Sequence, residues 1–137
     1  MKYAIGHVCY YVRNREAALD FYRDKLGLKM MFEQTFLDEA NQEGYIIYLR
    51  VAKSQFIELI GNIEHDDAPK VSLHHLCLHV DDIYATHKEL KEKGLTLTDI
   101  SVGLSKCIKC NVYDPDGNVI ELMQLPEDSM QYIYDKD

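Results

Sequence analysis

The sequence predicts an α+β chain made of two βαβββ modules in a pseudo-twofold arrangement, their curved sheets facing a cleft. Two observations carry that prediction. Residues 73–81 read Leu-His-His-Leu-Cys-Leu-His-Val-Asp and repeat the pattern of residues 5–13, Ile-Gly-His-Val-Cys-Tyr-Tyr-Val-Arg, with one spacing separating His7 from His75, Cys9 from Cys77 and Val12 from Val80. The order of elements expected after each copy is also the same. Duplicated units bring equivalent positions together, so a repeated histidine is a stronger signal than a lone one.

Residues 3–13 alternate in hydrophobicity and are rich in Val, Ile and Tyr, as a strand requires. Asn14 is placed to cap a helix over 15–26, with Ala18, Phe21, Tyr22 and Leu26 three and four apart on one face and Gly27 as its stop. Strands follow at 28–36, 45–51 and 55–60, separated by the polar stretch 37–44 and the short turn 52–54. Tyr45, Ile47, Leu49 and Val51 share one face of the middle strand. Residues 61–71, with Pro69 and the charged cluster 64–67, read as the connection between modules.

The second module repeats the order. A strand at 73–80 leads to a helix capped by Asp81 or Asp82, with Ile83, His87 and Leu90 facing inward and Gly94 ending it. Strands are expected at 95–100, 106–113 and 118–124. The loop 101–105 separates the first two of these strands, and the turn Asp114-Pro115-Asp116-Gly117 the last two. The chain is thus read as one domain over 1–137: module one about 1–62, linker about 63–71, module two about 72–125, and an acidic tail at 126–137 without a clear element.

At 137 residues and 47% hydrophobic content, one compact domain or two small halves can form. The formal net charge is −8 and there is no basic run, so a polyanion such as nucleic acid would be repelled. No signal-peptide apolar core opens the sequence, and no apolar run approaches the ~20 residues of a membrane helix, so a cytoplasmic location without a membrane partner is expected. The four cysteines are then expected to be reduced. Cys107 and Cys110 have metal-pair spacing, but there is no second such pair, and in a strand they would face opposite sides.

The last strands of the two modules also correspond. Phe56-Ile57-Glu58-Leu59-Ile60 answers Val119-Ile120-Glu121-Leu122-Met123, each with a glutamate inside an apolar strand. Such a carboxylate is costly to bury unless it is paired or bound to a metal. Alternation places His7 with Cys9 and Tyr11 on one face, and His75 with Cys77 and His79 on another. Curved sheets around a metal-binding cleft would aim His7, Glu58, His75 and Glu121 at one point, a donor set suited to a divalent transition metal (Ni, Zn, Co, Mn or Fe). The other reading is a pair of core histidines satisfied by glutamates with no metal.

These residues give the chain a family likeness. Its span from about residue 3 to 124 resembles the vicinal oxygen chelate superfamily, which is built from paired βαβββ modules. That superfamily includes glyoxalase I, extradiol dioxygenases, methylmalonyl-CoA epimerase, fosfomycin-resistance proteins and metal-free bleomycin-binding proteins. The likeness rests on His7, Phe21-Tyr22, Gly27-Leu28, Ile57-Glu58-Leu59, His75, Val80-Asp81-Asp82, Asp114-Pro115-Asp116-Gly117 and Ile120-Glu121-Leu122.

A complete His, Glu, His, Glu set is similar to that of glyoxalase I, a lactoylglutathione lyase. The resemblance implies a metal-dependent isomerising lyase acting on a small α-hydroxycarbonyl, such as the hemithioacetal of methylglyoxal. It implies Glu121 as the proton-abstracting base and Glu58 as its counterpart. His74-His75 and Val80-Asp81-Asp82-Ile83 look epimerase-like, so that branch stays open beside a metal-free binding protein on the same fold. Where the family carries an arginine for a glutathione carboxylate this chain has Tyr11, whereas Asn62 matches a glutathione-binding asparagine. The family's glycine-rich loop is altered and leaves Gly103, Lys106 and Lys109 nearby. Tyr11, Asn62, His79 and Lys106 are the candidate substrate contacts; His65, His74 and His87 are expected to have no direct role. A homodimer is expected, with each site held within one chain or shared between two.

Overall fold

The computed structural model describes residues 5, 7–53, 55–62 and 75–134. The chain divides into two compact units, Met1–Ser72 and Leu73–Asp137. The first contains β1 (His7–Val12), α1 (Arg15–Leu19), β2 (Lys29–Leu37), β3 (Glu43–Ala52) and β4 (Gln55–Gly61). The second contains β5 (His75–His79), α2 (Ile83–Glu92), β6 (Ser101–Val102), β7 (Ile108–Tyr113), β8 (Val119–Gln124) and α3 (Met130–Tyr134). The element order is βαβββ in each, as expected, with α3 added in the tail. The linker, His65 and His74 lie outside the described residues.

Each unit is one four-stranded mixed sheet, ordered β1-β4-β3-β2 in the first and β5-β8-β7-β6 in the second. The first strand of each unit runs parallel to its last, with Cys9 opposite Glu58 and Cys77 opposite Glu121. The remaining pairings are antiparallel, and register shifts interrupt β2 and β3 between Met30 and Phe32 and between Arg50 and Ala52. Two copies of one topology therefore put the two glutamates at equivalent sheet positions.

Local chemistry accounts for the helices. The Asn14 side chain accepts from Ala17 N at 2.9 Å and that of Asp82 from Ala85 N at 3.0 Å, so both helices begin on side-chain caps. Gly27 and Gly94 follow the helical segments at φ of 74° and 88°, a backbone that only glycine adopts without steric cost. After Leu19 the helix widens into a π-helical stretch, Asp20–Lys25. That widening turns two consecutive rings inward: Phe21 and Tyr22 are both buried, packed edge to face at 4.8 Å.

Strand alternation separates two faces. Tyr10, Val12, Ile47, Leu49, Ile57 and Leu59 are buried, and the Tyr10 ring stacks 6.4 Å from that of Tyr22. The opposite face of the same sheet carries His7, Cys9, Tyr11, Tyr48, Phe56 and Glu58. In the second unit α2 packs against β7 and β8, and Ile83, Leu90, Cys110, Val112, Ile120 and Leu122 are buried. Burying each large aliphatic side chain contributes about 1.5–3 kcal/mol.

The strand expected at 95–100 does not form. A single bridge joins Leu97 to Val112, and the edge strand is the two-residue Ser101–Val102. Thr98 explains the break. Its hydroxyl takes the Asn111 N–H at 2.8 Å while its own N–H bonds Asn111 O at 3.0 Å, and its carbonyl meets His87 Nε2 at 3.1 Å. A side chain thus occupies a slot that a ladder carbonyl would fill. The following strand also starts later than expected, at Ile108, because Lys106 sits at φ 63° in a turn whose N–H bonds Gly103 O. Cys107 therefore precedes the strand; both it and Cys110 are buried. Among the described residues no helix is long and apolar enough to cross a membrane.

Candidate metal-ligand pairs

A parallel pair offsets residues by the slant of its hydrogen bonds. His7, opposite Phe56, therefore reaches past its direct partner to the next residue on the same face, Glu58. His7 Nε2 stands 3.0 Å from Glu58 Oε2. Tyr48 lies directly across from Glu58 on β3 and donates its hydroxyl to the same oxygen at 2.9 Å. That bond to a carboxylate, with burial and the charge of Glu58, holds the Tyr48 phenol above its usual pKa, as a neutral donor. Glu58 is 8% exposed although it is ionisable, and these two partners offset the cost of its burial.

The second unit repeats the pair with different support. His75 Nε2 is 3.8 Å from Glu121 Oε1, and Lys109 Nζ is 3.5 Å from Glu121 Oε2. Asn111 occupies the position across from Glu121 that Tyr48 has in the first unit. Glu121, like Glu58, is 8% exposed. The thiol opposite the glutamate of each pair is held neutral. Burial, then the Glu58 charge, raises Cys9 to about 11; burial, then the charge and hydrogen bond of Glu121, raises Cys77 to about 11.

The donor types, though not a complete set in either pair, suit a divalent transition metal. Two ligands at about 2.1 Å from one ion and at right angles lie about 3.0 Å apart, the scale of the His7–Glu58 separation, while the His75–Glu121 separation of 3.8 Å is wider. Imidazole plus buried carboxylate is also the donor chemistry such ions favour. Each pair supplies two donors, below the three that even an open zinc site takes from protein. Among the described residues no three His, Cys, Asp or Glu side chains are gathered as a metal cage.

The remaining candidates are scattered more widely. Tyr11 and His79 are exposed on the same strand faces as His7 and His75. Asn62 sits at φ 59° just after β4 and donates its side-chain amide to Glu43 O, so its structural work is to join strand ends. Lys106 is exposed in its turn, and the lysine that reaches a site carboxylate is Lys109. Tyr48 and Lys109 are the partners that sequence reading did not pick out as site residues. Their signal was available only through register, as residues opposite or diagonal to a strand glutamate.

Around the first pair lies an aromatic wall. Tyr48 stacks on Phe32 with centroids 4.7 Å apart and planes 17° from parallel, and meets His7 and Phe56 edge-on at 5.6 and 6.0 Å. Phe32 remains 46% exposed.

Residues 4–122 match the family model described as the Glyoxalase/Bleomycin resistance protein/Dioxygenase superfamily. A lactoylglutathione lyase of Neisseria meningitidis serogroup A is 26% identical, the alignment covering 92% of this chain and 95% of that protein; a probable lactoylglutathione lyase of Synechocystis is also 26% identical, over 86% and 92%. The crystal structure of TnmS3, an antibiotic binding protein from a Streptomyces strain, superposes with a TM-score of 0.73 at 24% identity, covering 91% of this chain and 98% of that one.

Proposed function

The chain belongs to the Glyoxalase/Bleomycin resistance protein/Dioxygenase superfamily, and on that premise we propose that it is a metal-dependent, glyoxalase I-like lyase. In this reading His7, Glu58, His75 and Glu121 hold one divalent transition metal (Ni, Zn, Co, Mn or Fe), with the two pairs drawn from one chain or from two chains of a cytoplasmic homodimer. The observation that carries the reading is the recurrence of a histidine beside a buried glutamate at equivalent positions of both sheets. The likeness to lactoylglutathione lyases supports it.

The bound metal would supply a Lewis acid that acidifies a C–H bond next to a carbonyl. The chain supplies the rest. The Glu121 carboxylate takes the proton from the carbon that bears sulfur in a hemithioacetal and returns it to the neighbouring carbon, leaving an isomeric hydroxy thioester. No electrons are gained or lost overall, so no redox cofactor enters. Glu58, pinned by Tyr48, keeps its orientation while Glu121 moves. Tyr11 and His79 line the open faces on which the substrate would lie, with Asn62 and Lys106 at their margins.

The test is turnover on methylglyoxal with a panel of thiols, glutathione among them, after loading with nickel or zinc. Isomerisation that disappears in Glu121→Gln while metal is retained supports the reading; activity that survives the change removes Glu121 from its role. A second reading, a metal-free small-molecule binding protein, is favoured by the exposed Phe32–Tyr48 stack and by the likeness to an antibiotic binding protein. Binding of planar ligands with no metal uptake and no turnover would select it. Metal uptake without isomerase activity would point to an epimerase-like reaction.

A further inference from the structure

We infer that Lys109 competes with a divalent cation for Glu121, and that the displaced ammonium then binds an anionic group on the substrate. The inference rests on the metal-binding reading above. Two otherwise equivalent pairs differ in their support. In the first unit the histidine and glutamate atoms are 3.0 Å apart and the carboxylate's other donor is the neutral hydroxyl of Tyr48. In the second they are 3.8 Å apart, and the carboxylate's other oxygen faces the Lys109 ammonium.

A neutral hydroxyl can stay on a carboxylate that also binds a metal, since it adds no charge. An ammonium cannot do so without repulsion, because both cations would sit within a few ångströms of the same oxygens. Lys109 is free to leave. Its separation of 3.5 Å is longer than a close charge-assisted hydrogen bond, and its side chain is 37% exposed on a flexible stem. Its strand position opposite Met123 keeps it on the face that carries Glu121 and Cys77. A cation released there, beside Glu121, selects a substrate with a carboxylate or similar anion. Lys106, the lysine expected to do this, is exposed in its turn.

The test measures nickel affinity by competition with a chromophoric chelator in the wild type, Lys109→Met, Glu121→Gln and the double variant. Lys109→Met is expected to bind nickel about five- to tenfold more tightly, and to have no such effect once Glu121 is Gln. The substrate half is read from the hemithioacetals that methylglyoxal forms with the neutral thiol 2-mercaptoethanol and with the carboxylate-bearing thiol 3-mercaptopropionate. The wild type is expected to have the lower KM for the carboxylate-bearing one. Lys109→Met should lose that preference about tenfold, with the change in KM rather than kcat, and Lys109→Arg should keep most of it. Wild type that binds nickel while Lys109→Met binds it no more tightly overturns this inference and leaves the metal reading standing. Nickel binding by neither overturns both. Unchanged preference, or inactivity on both substrates, overturns the substrate half.

Discussion

Glu58 receives His7 and Tyr48 on the same oxygen, Oε2, at 3.0 and 2.9 Å. The arrangement fixes a buried carboxylate from two strands at once and leaves its other oxygen without either contact. Partners that orient a metal-binding carboxylate are typically worth 10- to 100-fold in metal affinity. Tyr48→Phe is therefore expected to weaken nickel binding by about tenfold or more, with the sheet intact by circular dichroism. Equal affinity in the variant would show that Tyr48 does not orient Glu58 for a metal.

The packed faces set the stability of both units. Ile57 and Ile120 are nearly or fully buried at equivalent strand positions, each beside a site glutamate. Replacing either by Ala should cost about 2–5 kcal/mol in urea unfolding, from lost transfer energy and the residual cavity. Val102, 70% exposed, gives the contrast: Val102→Ala should stay within about 0.5 kcal/mol.

Asp114 governs the turn between β7 and β8. Its Oδ1 accepts from Asp116 N at 2.9 Å and Asn118 N at 2.8 Å, its Oδ2 accepts from Asn118 Nδ2 at 2.8 Å, and the residue is buried. Asp114→Ala strands those donors and should destabilise the fold by about 2 kcal/mol or more, read as a lowered urea midpoint. Asp114→Asn, which keeps one acceptor oxygen, should lose less.

Cys77 gives a pH prediction. Its thiol is raised from 9.0 to about 11, first by burial and then by Glu121. That rise leaves about a hundredfold less thiolate at neutral pH, so alkylation of Cys77 by iodoacetamide in chelator-treated protein should be slower by about that factor than for a free cysteine. The rate should climb as pH rises toward 11. Because the folded state favours the neutral thiol, its contribution to stability is intact below pH 9 and is lost between 9 and 11. Rapid labelling at pH 7 would contradict the environment described.

Much of this was legible in sequence because duplication marks equivalent positions. His7 and His75, and Glu58 and Glu121, fall on matching strands for that reason, and capping at Asn14 and Asp82 depends only on neighbouring residues. What sequence did not expose depends on partners distant along the chain. Tyr48 and Lys109 meet glutamates through strand register, which is continuous between β7 and β8 but shifts between Arg50 and Ala52 in the first unit. The loss of the strand expected at 95–100 turns on the Thr98 hydroxyl finding Asn111 N across the sheet. The π-helical stretch reflects the packing of Phe21 and Tyr22 together, which periodicity alone treats as an ordinary helix face.

The most direct test is nickel bound per chain, and its affinity, in the wild type, His7→Ala and His75→Ala. One ion per chain is expected, with affinity reduced by at least about a hundredfold when either histidine is removed, since in the proposed site both would serve the same ion. Nickel uptake that is unchanged by the loss of His7 or of His75 would contradict a single site built from both pairs.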